Sequence, residues 1–272
     1  PDVRSYIGKK LVPLWFRLRD EIHRSDATTV ILSSEYFSEA VALRSLGWFC
    51  DRLDVEIAII VYLRRQDRLI ESGYNQEIKA GLQTAKVDLG TTYRPEHDYE
   101  KLLDRWADAF GATSLVVRTF EQAVAGPGIL QEFLQIAGAD LEVSDSGAER
   151  NEALHPSLME FRRMENLLGF TNSPLTSLAN PLLRKIDPRP GLSLMSPETR
   201  EQFLSLYAES NARVARRYLN REDDTLFPAP DGESGADPLA VEACLYVILS
   251  CAYNDMAQKI ALAEHRLAEL RA

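Results

Sequence analysis

The sequence predicts an α/β protein in which a parallel sheet is flanked by helices and followed by an α-helical C-terminal extension. Three short apolar segments have the composition of buried strands, and segments with helical periodicity separate them. Such alternation is typical of parallel sheets with right-handed crossover connections. No convincing strand pattern follows residue 145, so the second half of the chain is expected to be mostly helical.

The three predicted strands are rich in valine, isoleucine and leucine, and polar or turn-forming residues flank each of them. Near-continuous apolar runs of this length indicate strands that are covered on both faces. The predicted strands span Thr28–Ser33, Val55–Leu63 and Ser114–Phe120.

Helical patterns occupy the segments between and after these strands. In the first half of the chain they cover Glu35–Leu53, Asp67–Ala80, Asp98–Phe110 and Ile129–Ala137. In the second half they cover His155–Leu168, Ser196–Leu219 and Pro238–Arg271. Four prolines between Gly169 and Gly191 predict only short helical pieces there. The change of pattern predicts an α/β core over residues 1–140 and a mostly helical region over residues 141–272 that packs on it.

Composition excludes several classes of protein. The 272 residues include 31 Lys+Arg and 41 Asp+Glu, which gives a formal net charge of −10. This acidity argues against a general nucleic-acid coat, which needs a basic surface. No apolar run approaches the ~20 residues of a membrane span. Three cysteines without disulfide spacing favour a reducing, cytoplasmic location, and the scattered histidines predict no metal site.

The most informative stretch follows the second predicted strand. That strand ends at Leu63, Arg64 follows at once, and Ser72 lies about two turns into the next helix. Because ligands of open α/β sheets bind outside the carboxyl ends of the strands, the arginine and the hydroxyl could hold one phosphate. The alternative is a solvated helix start, in which the arginines at positions 64, 65 and 68 pair with Asp67 or Glu71.

Glu35 is the second candidate site residue, because it stands just past the end of the first predicted strand. A carboxylate at that position could act as the general base that takes the proton from a substrate hydroxyl. The alternative is an ordinary helix start, in which Ser34 caps the helix and Glu35 complements the helix dipole.

Arg64 and Ser72, eight residues apart after a buried strand, resemble the 3′-phosphate-binding signature Arg-Asn-Pro-x-Asp-x-x-x-Ser of the P-loop sulfotransferases, in particular the bacterial type. The chain has Arg65-Gln66 where the signature has Asn-Pro, and Asp67 stands one position early. The stretches Leu115–Glu121 and Gly128–Leu134 are similar to a later strand and helix of the family. The resemblance covers about residues 26–140.

The resemblance implies a P-loop NTPase-like fold and the transfer of a sulfuryl group from 3′-phosphoadenosine 5′-phosphosulfate (PAPS) to a hydroxyl acceptor, without a metal. Arg64 and Ser72 would hold the 3′-phosphate of PAPS or of its product PAP, and Glu35 would be the base. The acceptor would be a small molecule, for example a saccharide. The loop that holds the 5′-phosphosulfate in the family is not visible, so we expect it upstream of Pro1; a degenerate site that binds without catalysing is the other explanation.

Two other functions stay open. A P-loop nucleotide or small-molecule kinase would also bind phosphate, but it would need Mg²⁺ and a Walker-type loop. The other is a non-catalytic interaction protein that acts through its helices. The long C-terminal helix is apolar over most of its girth, so it packs either on the chain's own core or against a second copy in a homodimer.

Overall fold

The computed structural model describes residues 12–34, 37, 40–53, 55–86, 92–139, 141, 153–170, 174–186, 194–229 and 241–271. We number its helices and strands in chain order: α1 Val12–Arg24, α2 Ala40–Cys50, β1 Ile59–Leu63, α3 Gln66–Lys79, α4 Tyr99–Phe110, β2 Leu115–Thr119, α5 Phe120–Ala125, α6 Ile129–Ile136, α7 Pro156–Leu167, α8 Leu175–Ile186, α9 Pro197–Ser205, α10 Ala208–Leu219 and α11 Val241–Arg271. The protein is therefore mixed α/β, with a small parallel sheet flanked by helices, as predicted.

The sheet consists of β1 and β2, which pair in parallel with Ile59 opposite Leu115 and Leu63 opposite Thr119. Both strands carry the β-branched and aliphatic residues that pack well on a pleated surface. The second and third predicted strands are thus confirmed, although β1 begins at Ile59 and not at Val55. The helical connection between them is the expected link for a parallel pair.

The prediction of a strand over Thr28–Ser33 is wrong. The segment has no regular structure, and its apolar side chains Val30, Ile31 and Leu32 are exposed. A strand is held by hydrogen bonds to a neighbouring strand, and in the described part of the chain β1 and β2 pair with each other alone. The apolar composition of the segment therefore has no ladder to stabilise it.

The described residues form two compact units, each of which combines segments distant in the sequence. The first unit draws on Pro1–Arg65, Tyr93–Ser146 and Tyr207–Pro228, so it contains the sheet together with α1, α2, α4, α5, α6 and α10. Its apolar core is centred on the buried side chains of Leu46, Phe49 and Trp106, against which Trp15 of α1 packs.

The second unit is helical and draws on Gln66–Thr92, Gly147–Leu206 and Ala229–Ala272. Its helices are α3, α7, α8, α9 and α11. One core cluster joins three of these helices and consists of Leu158, Ala179, Leu183, Val247, Ile248 and Cys251. The predicted domain boundary after residue 140 stays a prediction.

Two helix predictions in the second half are wrong in detail. Helix α8 runs unbroken over Leu175–Ile186 with Pro181 inside it, where only short pieces were predicted. Burial of Ala179 and Leu183 in the core stabilises this helix despite the missing proline N–H. The single helix predicted over Ser196–Leu219 is two helices, α9 and α10, which are separated at Leu206 and Tyr207 where the chain passes from the second unit to the first.

None of the helices that the structure describes combines the length and the apolar character needed to cross a bilayer. The longest of them, α11, has 31 residues but carries charged side chains throughout its second half.

Candidate functional site at the carboxyl edge of the sheet

The two strands of the sheet end side by side. Leu63, the last residue of β1, lies opposite Thr119, the last residue of β2. Because the strands are parallel, the next residues of both, Arg64 and Phe120, emerge at the same edge. This carboxyl edge is where open α/β sheets bind their ligands.

Two hydrogen bonds fix the backbone that carries the arginines. The backbone N–H of Arg65 donates to Oε1 of Glu121, at 2.9 Å, which ties the end of β1 to the helix after β2. The hydroxyl of Tyr99 donates to the carbonyl oxygen of Arg64. Tyr99 is 5% exposed, and burial raises the pKa of its hydroxyl far above the ordinary value, so it stays a donor throughout the physiological range.

The guanidinium of Arg64 is half-buried and lies over the ring of Phe120, 4.9 Å from the ring centroid. Stacking of this kind orients the planar fork and leaves its N–H groups available at the edge. Among the residues that the structure describes, no carboxylate pairs with Arg64. The sheet edge thus presents a positioned, permanently charged donor group.

The end of β2 adds a second set of polar groups. The hydroxyl of Thr119 and the guanidinium of Arg221 both donate to Oε1 of Gln122, at 2.9 and 2.6 Å. Arg221 also donates to the carbonyl oxygens of Thr225 and Leu226, at 2.6 and 2.7 Å. Sequence reasoning missed Arg221, because about a hundred residues separate it from the strand whose end it supports.

One carboxylate oxygen of Glu121 at this edge lacks a hydrogen-bond partner among the described residues. Its Oε1 accepts from Arg65, whereas its Oε2 is buried and has no hydrogen-bond partner among the described residues. A buried carboxylate oxygen without a partner is uncommon and is a position where a bound hydroxyl or water would be stabilised.

The structure describes two of the three site residues that the sequence predicts. Arg64 stands at the sheet edge, as expected, directly after β1. Ser72 is the seventh residue of α3 and is half-buried, which confirms its place about two turns into the helix. Arg64 belongs to the first unit and Ser72 to the second, and their meeting on one phosphate stays a prediction. Glu35 lies outside the described residues.

The acidic residues of α3 have a partner that the sequence did not indicate. Arg200 of α9, which is 2% exposed, forms ion pairs with Asp67 and with Glu71, the latter at 3.1 Å. Oε1 of Glu71 also accepts the backbone N–H groups of Leu194 and Met195, at 2.8 and 3.2 Å. The alternative of a solvated, locally paired helix start is right in the pairing of Arg68, which lies 3.4 Å from Glu71, but wrong in the solvation, because Asp67 and Glu71 are buried. The pairing does not include Arg64.

A buried carboxylate anchors α4, the helix that carries Tyr99. Asp98 is the N-cap of α4 and accepts hydrogen bonds from the N–H of Lys101 at 3.3 Å, the hydroxyl of Ser210 at 2.6 Å and the hydroxyl of Tyr93 at 2.5 Å. Burial acts to raise the pKa of Asp98, but these hydrogen bonds outweigh it and hold the pKa below the ordinary value.

The substitution Asp98→Ala is expected to lower the free energy of unfolding by about 2 kcal/mol at neutral pH, because it removes a helix cap and leaves buried donors unsatisfied. Since the pKa of Asp98 is lower in the folded state, its contribution is fully present above the unfolded value of about 4 and is lost as the pH falls through the folded value. Urea unfolding of the wild type and of Asp98→Ala, at neutral pH and near pH 3, measures this difference in the free energy of unfolding.

The matched control is Asp108→Ala, an exposed carboxylate on the same helix, which should change stability by less than about 0.5 kcal/mol. If the difference between wild type and Asp98→Ala did not shrink at acidic pH, the charge on Asp98 would not be the stabilising element.

Within the described ranges, no group of three or more histidine, cysteine, aspartate or glutamate side chains is placed to hold a metal ion.

Comparison with known proteins identifies one relative without an assigned activity. An uncharacterized protein of Archaeoglobus fulgidus is 30% identical to the chain over 201 residues, which are 71% of this chain and 55% of the archaeal protein. The chain thus spans about half the length of the relative that it matches. No family model matches the chain, and no solved structure matches it.

Proposed function

We propose that the protein is a PAPS-dependent sulfotransferase with a P-loop NTPase-like fold, which transfers a sulfuryl group to a hydroxyl acceptor such as a saccharide. The observation that carries the proposal is the setting of Arg64. Its guanidinium stands at the carboxyl end of a parallel strand, is oriented by Phe120, and pairs with no carboxylate in the described part of the chain. Phosphate and carboxylate are the ligands whose oxygens such a fork matches bidentately, and phosphate is the one that the sulfotransferase signature binds.

The local order of elements supports the assignment of this phosphate as the 3′-phosphate of the nucleotide. Strand β1 ends at Leu63, Arg64 follows, α3 begins at Gln66, and Ser72 stands eight residues after the arginine. The same order and spacing define the sulfotransferase signature that the sequence resembles. Ser72 would add a neutral hydroxyl donor to the charged fork.

The remaining roles follow from the chemistry of the transfer. Bound PAPS would supply the sulfuryl group, and cleavage of its bond to the phosphate oxygen would leave PAP. Glu35 would accept the proton of the acceptor hydroxyl as the new bond between oxygen and sulfur forms. The buried Oε2 of Glu121 is a further acceptor at the sheet edge and could orient that hydroxyl.

Calorimetric titration with PAP, adenosine 5′-phosphate and ATP tests the proposal. PAP is expected to bind roughly ten- to a hundredfold more tightly than adenosine 5′-phosphate, because charged hydrogen bonds to the additional phosphate are worth about 1.5–3 kcal/mol. Added Mg²⁺ should leave PAP binding unchanged.

Two outcomes would contradict the proposal. Equal binding of PAP and adenosine 5′-phosphate, or no binding of either, would show that no 3′-phosphate site exists. Binding of ATP that depends on Mg²⁺ and exceeds that of PAP would indicate a kinase instead.

A further inference from the structure

Helix α11 presents two different apolar faces. One face, with Val247, Ile248 and Cys251, is buried against α7 and α8 in the core of its own unit. The other face is solvent-exposed and carries large apolar side chains, with Tyr246, Leu249, Tyr253, Met256 and Ile260 each more than half exposed. Among the described residues, packing within the unit therefore leaves this second face, which we call the outer stripe, without a cover.

The outer stripe has the spacing of a coiled coil. Its residues Tyr246, Leu249, Tyr253, Met256, Ile260 and Ala263 alternate steps of three and four positions. This places Tyr246, Tyr253 and Ile260 at the a positions of a heptad repeat and the other three residues at its d positions. Along the sequence, the same spacing continues at positions 267 and 270, which are both leucine.

One pair of opposite charges beside the outer stripe favours a second copy of the same chain as its partner; the next pair in this register, Arg266 with Arg271, has like charges and lies beyond Ala263, where the stripe ends. In this heptad register Lys259 occupies a g position and Glu264 the following e position, and both side chains are exposed. In a parallel, in-register pair, each g residue faces the e residue five positions later on the partner. Lys259 of one copy would face Glu264 of the other, and two-fold symmetry would form this ion pair twice. Within one chain Lys259 contacts Asp255, at 2.7 Å, an exposed pair of little energetic weight.

We infer that α11 forms a parallel two-stranded coiled coil with α11 of a second copy of this chain. The stripe from Tyr246 to Ala263 extends over about 27 Å at 1.5 Å per residue and covers the water-facing side of the helix. The inference does not depend on the proposed sulfotransferase activity, because none of the residues proposed to bind the nucleotide lies on this helix.

Sedimentation equilibrium of the wild-type protein and of a double variant, Leu249→Glu with Met256→Glu, tests the inference. The wild type is expected to be a dimer, and the double variant a monomer with unchanged helical content, because both replaced side chains point away from the core of their own unit. The matched control is Leu262→Glu, a leucine off the stripe that is also more than half exposed, and this variant should remain dimeric. A monomeric wild type, or a double variant that still dimerises, would overturn the inference.

A charge exchange tests the identity and orientation of the partner. Lys259→Glu should weaken the dimer by placing two glutamates opposite each other, and the further change Glu264→Lys should restore it. If the single change had no effect on the dimer, or the second change did not restore it, the parallel pairing with a second copy would be wrong.

Discussion

The substitution Arg200→Met is expected to lower the free energy of unfolding by about 3–5 kcal/mol, the usual loss when one partner of a buried ion pair is removed. Arg200, Asp67 and Glu71 are all at most 2% exposed. Methionine fills much of the volume of the arginine but removes the Arg200 counter-charge from two buried carboxylates, of which Glu71 keeps its contact with Arg68. Urea unfolding followed by circular dichroism measures the change.

Two further variants separate the loss of charge pairing from a general effect of removing an arginine. Arg216→Met removes a half-exposed arginine that pairs with Asp224 and should cost less than about 1 kcal/mol. Adding Asp67→Asn and Glu71→Gln to Arg200→Met should recover part of the lost stability, because the buried carboxylates then become neutral. A loss below about 1 kcal/mol for Arg200→Met would mean that the network contributes no stability.

The substitution Arg64→Ala is expected to weaken PAP binding about a hundredfold, or by about 2.7 kcal/mol, because the proposed bidentate, charge-assisted contact to the 3′-phosphate would be lost. Its effect on folding should be small, since the described contact of the half-buried guanidinium is the stacking on Phe120, worth about 0.5–2 kcal/mol. Titration calorimetry with PAP and urea unfolding, performed on the same samples, separate the two effects.

Two control variants accompany Arg64→Ala. One removes another arginine of the same sheet, and the other keeps a positive charge at position 64. Arg118→Ala removes an arginine of β2 that lies 3.6 Å from Glu132, and it should leave PAP binding unchanged. Arg64→Lys keeps the charge without the planar fork and should give an intermediate loss, about tenfold. If Arg64→Ala bound PAP as tightly as the wild type, Arg64 would have no role in nucleotide binding.

The elements around the candidate site could be predicted because their signals are local. The apolar runs of β1 and β2, the Asp98 cap and Gly111 at the end of α4 all lie within a few residues of the structure that they specify. The segment Thr28–Ser33 shows the limit of this reasoning. Its composition resembles that of β1, but composition does not say whether a neighbouring strand is present to pair with it.

The contacts that complete each unit could not be predicted from spacing. Arg200 lies 133 residues from Asp67, and Arg221 lies 99 residues from Gln122. Nothing in a local pattern distinguishes these two arginines from the exposed arginines Arg216 and Arg217 of α10. The long-range partner of a charged side chain depends on the packing of helices, which a single sequence does not specify.

The discontinuous make-up of the two units has a consequence for synthesis on the ribosome, where a chain emerges from its N-terminus. Helix α10 packs against α4 and β2, and its Tyr218 and Arg213 contact Asp104 and Glu100 of α4. The sheet-containing unit therefore lacks one of its helices until residue 219 has been made, after α7, α8 and α9 of the other unit. Nascent chains that stop earlier would expose the face of α4 that α10 covers, and such chains would be natural targets for chaperones.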